Sequence, residues 1–374
     1  MKILFLSSWY PNRKQPRLGN FIQRHAEAVA AHSQVASLFV MSDEDCQQTF
    51  ELELQMIQNV LTVNVYYKKI KYLLPVIARV HKAIRYTRAH FMGLREIKKQ
   101  LGDIDIIHQN VLLPSGAIAL LFKYIYGIPY LVTEHSTEYH LPAPNGFLRL
   151  WLKKRIASDA SFITPVSENL GQAMLKQGLK GNYKVINNVV NTSVFYPSAG
   201  KIRNQKFKFL HISTLNDSQK NISGLLRVVK VLSDKRTDFE LHLVGDEDYK
   251  NHLKLAEHLK ILNRTVFFHG TMSLDEVANM MRSSDCFVMF SNYENFPCVI
   301  AEAMSCGLPI ISTEVGGISE HLSASNGMLV KQGDEPALLS SFTEMLLENK
   351  KYDAGVISKY ADRKSTRLNS SHRT

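Results

Sequence analysis

Cysteine is scarce in this chain: Cys46, Cys286, Cys298 and Cys306 are the only four in 374 residues. None belongs to a Cys-x-x-Cys pair and none has a histidine at zinc-site spacing, which argues against a zinc site and fits a reducing cytoplasm. Long apolar runs are missing as well. The start, Met1 to Pro11, has one positive charge, an apolar run too short for a secretory segment and no small-residue cleavage site behind it, so it is expected to be a buried first strand. The longest apolar stretch, Val111 to Val132, is broken by Pro114, Ser115, Gly116, Lys123, Gly127 and Pro129. A spanning helix needs about 20 nearly unbroken apolar residues, so no transmembrane segment is expected. Two nucleotide fingerprints are also absent. No Gly-x-Gly-x-x-Gly follows an expected strand and no Gly-x-x-x-x-Gly-Lys-Ser/Thr occurs, which argues against a nicotinamide dehydrogenase and a phosphate-loop ATPase.

Acidic side chains fall short of basic ones, 34 against 45, leaving a formal net charge of +11. That balance suggests an anionic partner: nucleic acid, a phospholipid surface or a phosphorylated substrate. Nucleic acid would rest on net charge alone and is not expected. The charge concentrates between Lys68 and Lys99, where Lys68, Lys69, Lys71, Arg79, Lys82, Arg85, Arg88, Arg95, Lys98 and Lys99 are opposed only by Glu96 and interleaved with Tyr72, Leu73, Leu74, Val76, Ile77, Val80, Ile84 and Phe91. A basic amphipathic helix of this kind can lie on an anionic membrane. The same pattern also describes an ordinary surface helix with a core-facing stripe.

What is present is enough apolar residue, 45% of the chain, for a real core, and enough length for two domains with a cleft between them. Short β-branched runs at Ile3 to Leu6, Val35 to Met41, Ile104 to His108, Tyr130 to Glu134, Phe162 to Val166 and Lys184 to Val189 alternate with helix-length segments. Unalternating runs of that kind predict a parallel sheet covered on both faces. Tyr196 to Gln205 reads as a linker, and a second set follows at Phe207 to Ser213, Phe239 to Val244, Val266 to His269, Cys286 to Phe290 and Pro309 to Thr313. The expected architecture is therefore α/β, with Rossmann-like doubly wound parallel-sheet domains over residues 1–196 and 206–360. Residues 361–374, basic and Ser-rich, read as a disordered or non-native tail.

The most informative stretch runs from Ser291 to Glu320. A strand should end near Phe290 and Pro297 suits the first turn of a helix, which places Glu294 and the amides of Asn295 and Phe296 at the carboxyl edge of the sheet, where open α/β folds bind ligands. Glu302 follows one to two turns inside that helix. Gly316 and Gly317, in a second strand-to-helix loop, allow close approach of backbone amides to a phosphate. Free helix N–H groups with two carboxylates suit a ligand both phosphorylated and rich in hydroxyls, such as a nucleotide sugar. A structural carboxylate pair capping the helix is the plain alternative.

Glu294, seven residues, Glu302, then Ala-Met-Ser-Cys-Gly-Leu-Pro and Val-Gly-Gly resembles the donor site of retaining glycosyltransferases of family 4, which have the GT-B fold of two such domains facing a central cleft. The resemblance extends to about Tyr360. It implies that Glu294 approaches the donor sugar hydroxyls, that Glu302 binds the ribose, and that the Asn295, Phe296, Gly316 and Gly317 backbones face sugar and phosphates. Lys220, just before a helix expected to begin near Asn221, resembles the family lysine that binds the donor pyrophosphate; the plain alternative is a solvated loop lysine. The family usually has an arginine shortly before it, where this chain reads Ser213-Thr214-Leu215, and Arg282 is too distant in sequence to be promoted in its place. His135, at the end of a strand, matches a family histidine near the reaction centre and is expected to reach the cleft, with His108 a weaker candidate. Gly19 matches the glycine of the family's first loop, before the helix that starts near Phe21; a capping role for Asn20 is the plain alternative.

The resemblance further implies retaining, metal-independent transfer without a protein nucleophile, no cofactor beyond a UDP- or GDP-linked sugar donor, and a saccharide or lipid-linked acceptor, commonly in surface polysaccharide biosynthesis. A cytoplasmic location follows, peripheral on the membrane face if Lys68 to Lys99 binds anionic lipid. Asp246-Glu-Asp248 is the one serious candidate for holding a divalent ion and is read as a turn. Two other readings stay open: a GT-B hydrolase or epimerase of nucleotide sugars, and a catalytically silent nucleotide-binding module, which the missing arginine would favour.

Overall fold

The structure, a computed structural model, describes residues 1–70, 75–140, 146–198, 205–245 and 249–364. The chain divides into two units, Met1–Val166 with Leu170–Ile186, and Ser167–Asn169 with Asn187–Thr374. Among the described residues no helix is long and apolar enough to cross a membrane.

The first unit is built on strands β1 (Lys2–Ser7), β2 (Gln34–Asp43), β3 (Phe50–Ile57), β4 (Val60–Lys68), β5 (Ile106–Asn110), β6 (Tyr130–Glu134) and β7 (Ile163–Pro165), in the spatial order β3-β4-β2-β1-β5-β6-β7. Helices α1 (Asn20–Ala30), α2 (Pro75–Leu101), α3 (Gly116–Tyr126), α4 (Phe147–Asp159) and α5 (Glu168–Lys176) connect them. β1 is parallel to both neighbours, Lys2 opposite Gln34 and Ile3 opposite Ile106. Its residues Ile3 to Leu6 are buried because helices cover both faces, which is why the sequence shows a run and not an alternation.

The sheet is not wholly parallel as expected. β3 and β4 form an antiparallel hairpin turned by Gln58 and Asn59, both at positive φ (45° and 64°); such a two-residue turn matches the twist of paired strands. The expected strand from Lys184 to Val189 also does not form. That segment runs beside β7, with Lys184 N donating to Ile163 O (3.0 Å) and Ile186 N to Pro165 O (3.1 Å), but joins the sheet only through an isolated bridge between Tyr183 and Ile163.

The second unit has strands β8 (Phe207–Ile212), β9 (Phe239–Val244), β10 (Val266–Phe268), β11 (Cys286–Met289), β12 (Ile310–Thr313) and β13 (Gly327–Val330), in the order β10-β9-β8-β11-β12-β13 and all parallel. Its helices are α6 (Asp217–Lys220), α7 (Ile222–Ser233), α8 (Lys250–His258), α9 (Leu274–Ser283), α10 (Cys298–Ser305), α11 (Glu335–Glu348) and α12 (Ala354–Lys364). One core lies under α7 and α11, around Phe209, Leu225, Phe239 and Phe342. Another lies under α9, α10 and α12, around Phe287, Ile300, Met304 and Ile357. Each such side chain, fully buried, contributes about 1.5–3 kcal/mol. α12 corrects the expected start of the tail: the helix continues through Lys364 and Ala361 is buried. Residues 365–374 lie outside the described residues.

Candidate active site

In an open α/β sheet the ligand crevice opens at the carboxyl ends of the strands, where the order reverses. In the second unit that point lies between β8 and β11, since β9 follows β8 on one side and β11 flanks it on the other. The loop after β8 carries Lys220 and the loop after β11 carries Glu294.

Two asparagines fix Lys220. Asn216 caps the single turn α6, its side chain accepting from Gln219 N, and Asn221 in the left-handed region (φ 51°) ends that turn and caps α7 by accepting from Gly224 N. Asparagine tolerates that conformation because its short amide bonds locally. Lys220 Nζ, buried, forms an ion pair with Glu294 Oε1, also buried. Around the pair the two loops are stitched together. Asn292 N donates to Gln219 O (2.7 Å), Asn292 Nδ2 to Ser218 O (3.0 Å) and Gln219 Nε2 to Tyr293 O (3.3 Å).

The Gly316-Gly317 loop after β12 joins the same group. Gly317 N donates to Asn295 O (2.6 Å), and Thr313 Oγ1 donates to Ser291 O (2.7 Å). Gly316 has φ +56°, and a Cβ there would lie 1.9 Å from Glu294 O; a Cβ on Gly317 would lie 2.4 Å from Ser167 Cβ. Only glycine fits either position. The loop opens into a 3₁₀ turn, Ile318–Glu320, where a regular helix was expected. Phe296 packs its ring on His321, 3.9 Å between centroids, and its carbonyl accepts from Asn188 Nδ2 (2.8 Å). Pro297 is the N-cap of α10, one residue earlier than expected, and Glu302 sits buried on the second turn. The second unit thus brings together Lys220, Glu294, Asn295, Phe296, Gly316 and Gly317, with Glu302 on the helix that follows. Sequence reasoning missed Gln219, Asn292, Thr313 and Asn188, whose amide and hydroxyl side chains brace these loops and which no motif or period marks.

Leu215 stands where the arginine was sought. It is buried, at φ 60°, with its side chain so close to Gly245 that a Cβ there would meet Leu215 Cγ at 2.3 Å. Its amide donates to Ser213 Oγ (2.9 Å), and Ser213 Oγ lies 2.7 Å from His211 Nε2. His211 Nδ1 is 2.8 Å from Val288 O, a group that only accepts, so Nδ1 carries the proton and Nε2 accepts from the serine. Burial pushes the His211 pKa down to about 4, keeping the ring neutral. Arg282 is engaged elsewhere, donating to Val194 O (2.7 Å) and lying 4.6 Å over the Tyr196 ring. Asp246-Glu-Asp248 lies outside the described residues.

In the first unit Gly19, not Asn20, is the N-cap of α1, at φ +65°, with Trp9 C and O 2.6 Å from where a Cβ would be. His135 is buried just past β6, its ring 4.7 Å from that of Phe21 and 5.6 Å from that of His25, which lie one turn apart on α1. The preceding Glu134 fixes this corner: Oε1 accepts from His135 N (2.9 Å) and Ser136 N (2.8 Å), and Oε2 from Leu112 N (2.8 Å) and Tyr139 OH (3.0 Å). Burial raises the Glu134 pKa against those four donors. His108 is a packing residue, its Nε2 2.6 Å from Thr133 Oγ1 and its ring 4.3 Å from Phe5, and loss of hydration lowers its pKa to about 3.

Residues 195–362 match the family described as Glycosyl transferases group 1, and residues 51–194 the one described as Glycosyltransferase Family 4. The chain is 27% identical over 265 residues to the N-acetyl-alpha-D-glucosaminyl L-malate synthase of Bacillus anthracis, covering 66% of each chain. It is 22% identical over 365 residues to the putative teichuronic acid biosynthesis glycosyltransferase TuaC of Bacillus subtilis, covering 92% of this chain and 88% of that one. Over several curated relatives the matched span is about two-thirds of their length or less. Among solved structures, the HepE protein of Anabaena in complex with UDP and glucose superposes with a TM-score of 0.69 at 20% identity, covering 98% of this chain and 95% of that one.

Proposed function

The chain belongs to the group 1 glycosyltransferases of family 4, with the GT-B fold, and from that premise we propose that it moves a sugar from a UDP- or GDP-linked donor to a saccharide or lipid-linked saccharide acceptor, with retention at the anomeric carbon. The observation that carries this reading is the buried Lys220–Glu294 pair at the strand-order reversal of an all-parallel sheet, braced by the Gly316-Gly317 loop. UDP as the donor nucleotide is supported by the HepE complex. Surface polysaccharide as the product is supported by the likeness to TuaC.

On this reading the donor pyrophosphate replaces Glu294 as the partner of Lys220, and the carboxylate so released accepts from the sugar hydroxyls. Glu302 accepts from the ribose, and the Asn295, Phe296, Gly316 and Gly317 backbones line the sugar and phosphates. The acceptor hydroxyl forms the new bond to the anomeric carbon on the face the phosphate leaves, and the departing phosphate takes its proton. The protein's part is orientation and stabilisation of charge on the leaving diphosphate, which an ammonium held in a low-dielectric site does well. His135, whose amide donates to Glu134 and whose ring packs on Phe21, takes the part of the family's reaction-centre histidine. Lys220 supplies the charge that a divalent ion would otherwise supply, so transfer is metal-independent and survives chelation. The location is cytoplasmic, peripheral on the membrane through the basic helix α2.

Leu215 in place of the arginine favours one other reading, a module that binds the nucleotide without turnover. Calorimetry with UDP, GDP and ADP on the intact chain, Glu302→Ala and Lys220→Ala tests the site: one nucleotide binds and both substitutions weaken it. Absence of binding removes the transferase reading, binding with no turnover of the matching sugar donors selects the silent module, and donor consumption without an acceptor selects hydrolysis.

A further inference from the structure

The first turn of α4 presents a large apolar surface to solvent. Phe147 is 87% exposed, Leu148 73% and Trp151 54%. At positions i, i+1 and i+4 they lie on one side of the helix. The inward side is separate, with Lys153, Ile156 and Ala157 buried and Leu152 packed on the main core of the first unit. Isolated exposed apolar residues are ordinary, but an aromatic-rich cluster of this size marks an interaction surface.

Topology says where it sits. β4 and β6 run parallel to β1 and β5, so the chain leaves each at the same carboxyl edge of the sheet. α2 follows β4 and α4 follows β6, and each helix returns the chain to the opposite edge for the next strand. α2 has 27 residues, about 40 Å at 1.5 Å each, against about 30 Å for the 9-residue β4. Its excess length explains why Val76, Ile77, Val80 and Ile84 stay exposed at its start. The two apolar helix starts therefore share one edge of the first unit.

Both also carry cations. Lys154 and Arg155 are exposed one turn beyond Trp151 on α4, and Arg79, Lys82 and Arg88 are exposed on α2. Apolar tips followed by a turn of cations fit a surface with an oily layer beneath phosphate groups, and tryptophan is favoured at that boundary.

We propose that the first turn of α4 inserts into the interface of an anionic bilayer, with Phe147, Leu148 and Trp151 among the upper acyl chains and Lys154 and Arg155 beside headgroup phosphates. This second attachment point deepens the membrane reading of α2 and rests on it for the first contact.

The chain has two tryptophans, so Trp9→Phe leaves Trp151 as the only indole. With phosphatidylglycerol-rich vesicles its emission shifts to the blue and is quenched by bromine placed high on the acyl chains, while phosphatidylcholine vesicles give neither effect. Phe147→Ser with Leu148→Ser, both at exposed positions, lowers the vesicle-bound fraction at least about tenfold. In the chain with Trp9 retained, Trp151→Phe abolishes the quenching, which guards against a fold disturbed at Trp9. Sedimentation with vesicles without a Trp151 shift overturns the proposal and leaves the α2 reading standing. No sedimentation at all overturns both. A blue shift that grows with protein concentration in the absence of lipid assigns the surface to a second copy of the chain and overturns it too.

Discussion

Lys220 and Glu294 satisfy one another: ammonium and carboxylate, each drawn from a different strand-end loop and each buried, form a direct ion pair at the proposed donor site. Removing one member of a buried pair leaves the other charge in a poorly solvated site, at a cost of about 3–5 kcal/mol, whereas removing both costs far less. Lys220→Met and Glu294→Leu should therefore each lower stability by about 3 kcal/mol, and the double substitution by clearly less than the sum. Urea unfolding followed by near-ultraviolet circular dichroism reads this, and simple additivity would show the pair to be energetically idle.

Gly316 and Gly333 provide a matched comparison. Both have positive φ, +56° and +72°, but a Cβ on Gly316 collides with Glu294 O while nothing lies within 4 Å of one on Gly333. Gly333→Ala should cost only the conformational strain, about 1 kcal/mol. Gly316→Ala should cost that and also displace the Glu294 loop, reducing nucleotide affinity at least about tenfold, roughly 1.4 kcal/mol. Equal nucleotide affinities in the two variants would disprove the bracing role of that loop.

His211 should make the protein acid-sensitive. In the folded chain burial holds its pKa near 4, and in the unfolded chain it returns to about 6.5. Between those values the unfolded state binds the extra proton, so this contribution is intact above about pH 6.5 and is lost as pH falls toward 4, at up to about 1.4 kcal/mol per pH unit. His90, also buried with its pKa pushed down to about 4, makes the first unit acid-sensitive in the same sense. His211→Gln should flatten the dependence of stability on pH between 6.5 and 4 by close to one proton; an unchanged slope would mean that the ring is not held neutral.

The parallel strands were readable because burial on both faces leaves an unbroken apolar run, as in Ile3 to Leu6. The β3–β4 hairpin does show the period of two of a strand, Glu51, Glu53 and Gln55 alternating with Leu52, Leu54 and Met56, but the usual sense is reversed: Leu52, Leu54 and Met56 are the exposed side chains and Glu51 and Glu53 are half-buried. β13 has only four residues and too little pattern to stand out. At the candidate site, motif spacing singled out Glu294, Glu302 and the two glycines. It had no means of finding Gln219 and Asn292, which act through backbone carbonyls on a distant loop, or the His211 Nδ1–Val288 O bond that fixes the tautomer, because such contacts depend on tertiary geometry and leave no periodic trace.

The last helix gives the second unit a dependence that its motifs do not advertise. Ile357 and Ala361 are buried against the helix that carries Glu302, and Ala354 Cβ stands 2.7 Å from where a side chain on Gly307 would begin. A truncation series trimmed back from Lys364 would retain every motif residue and still strip the floor from α10. Loss of function along such a series should be abrupt at α12, not gradual, and a reporter fused inside that helix would inactivate a protein whose donor loops are intact.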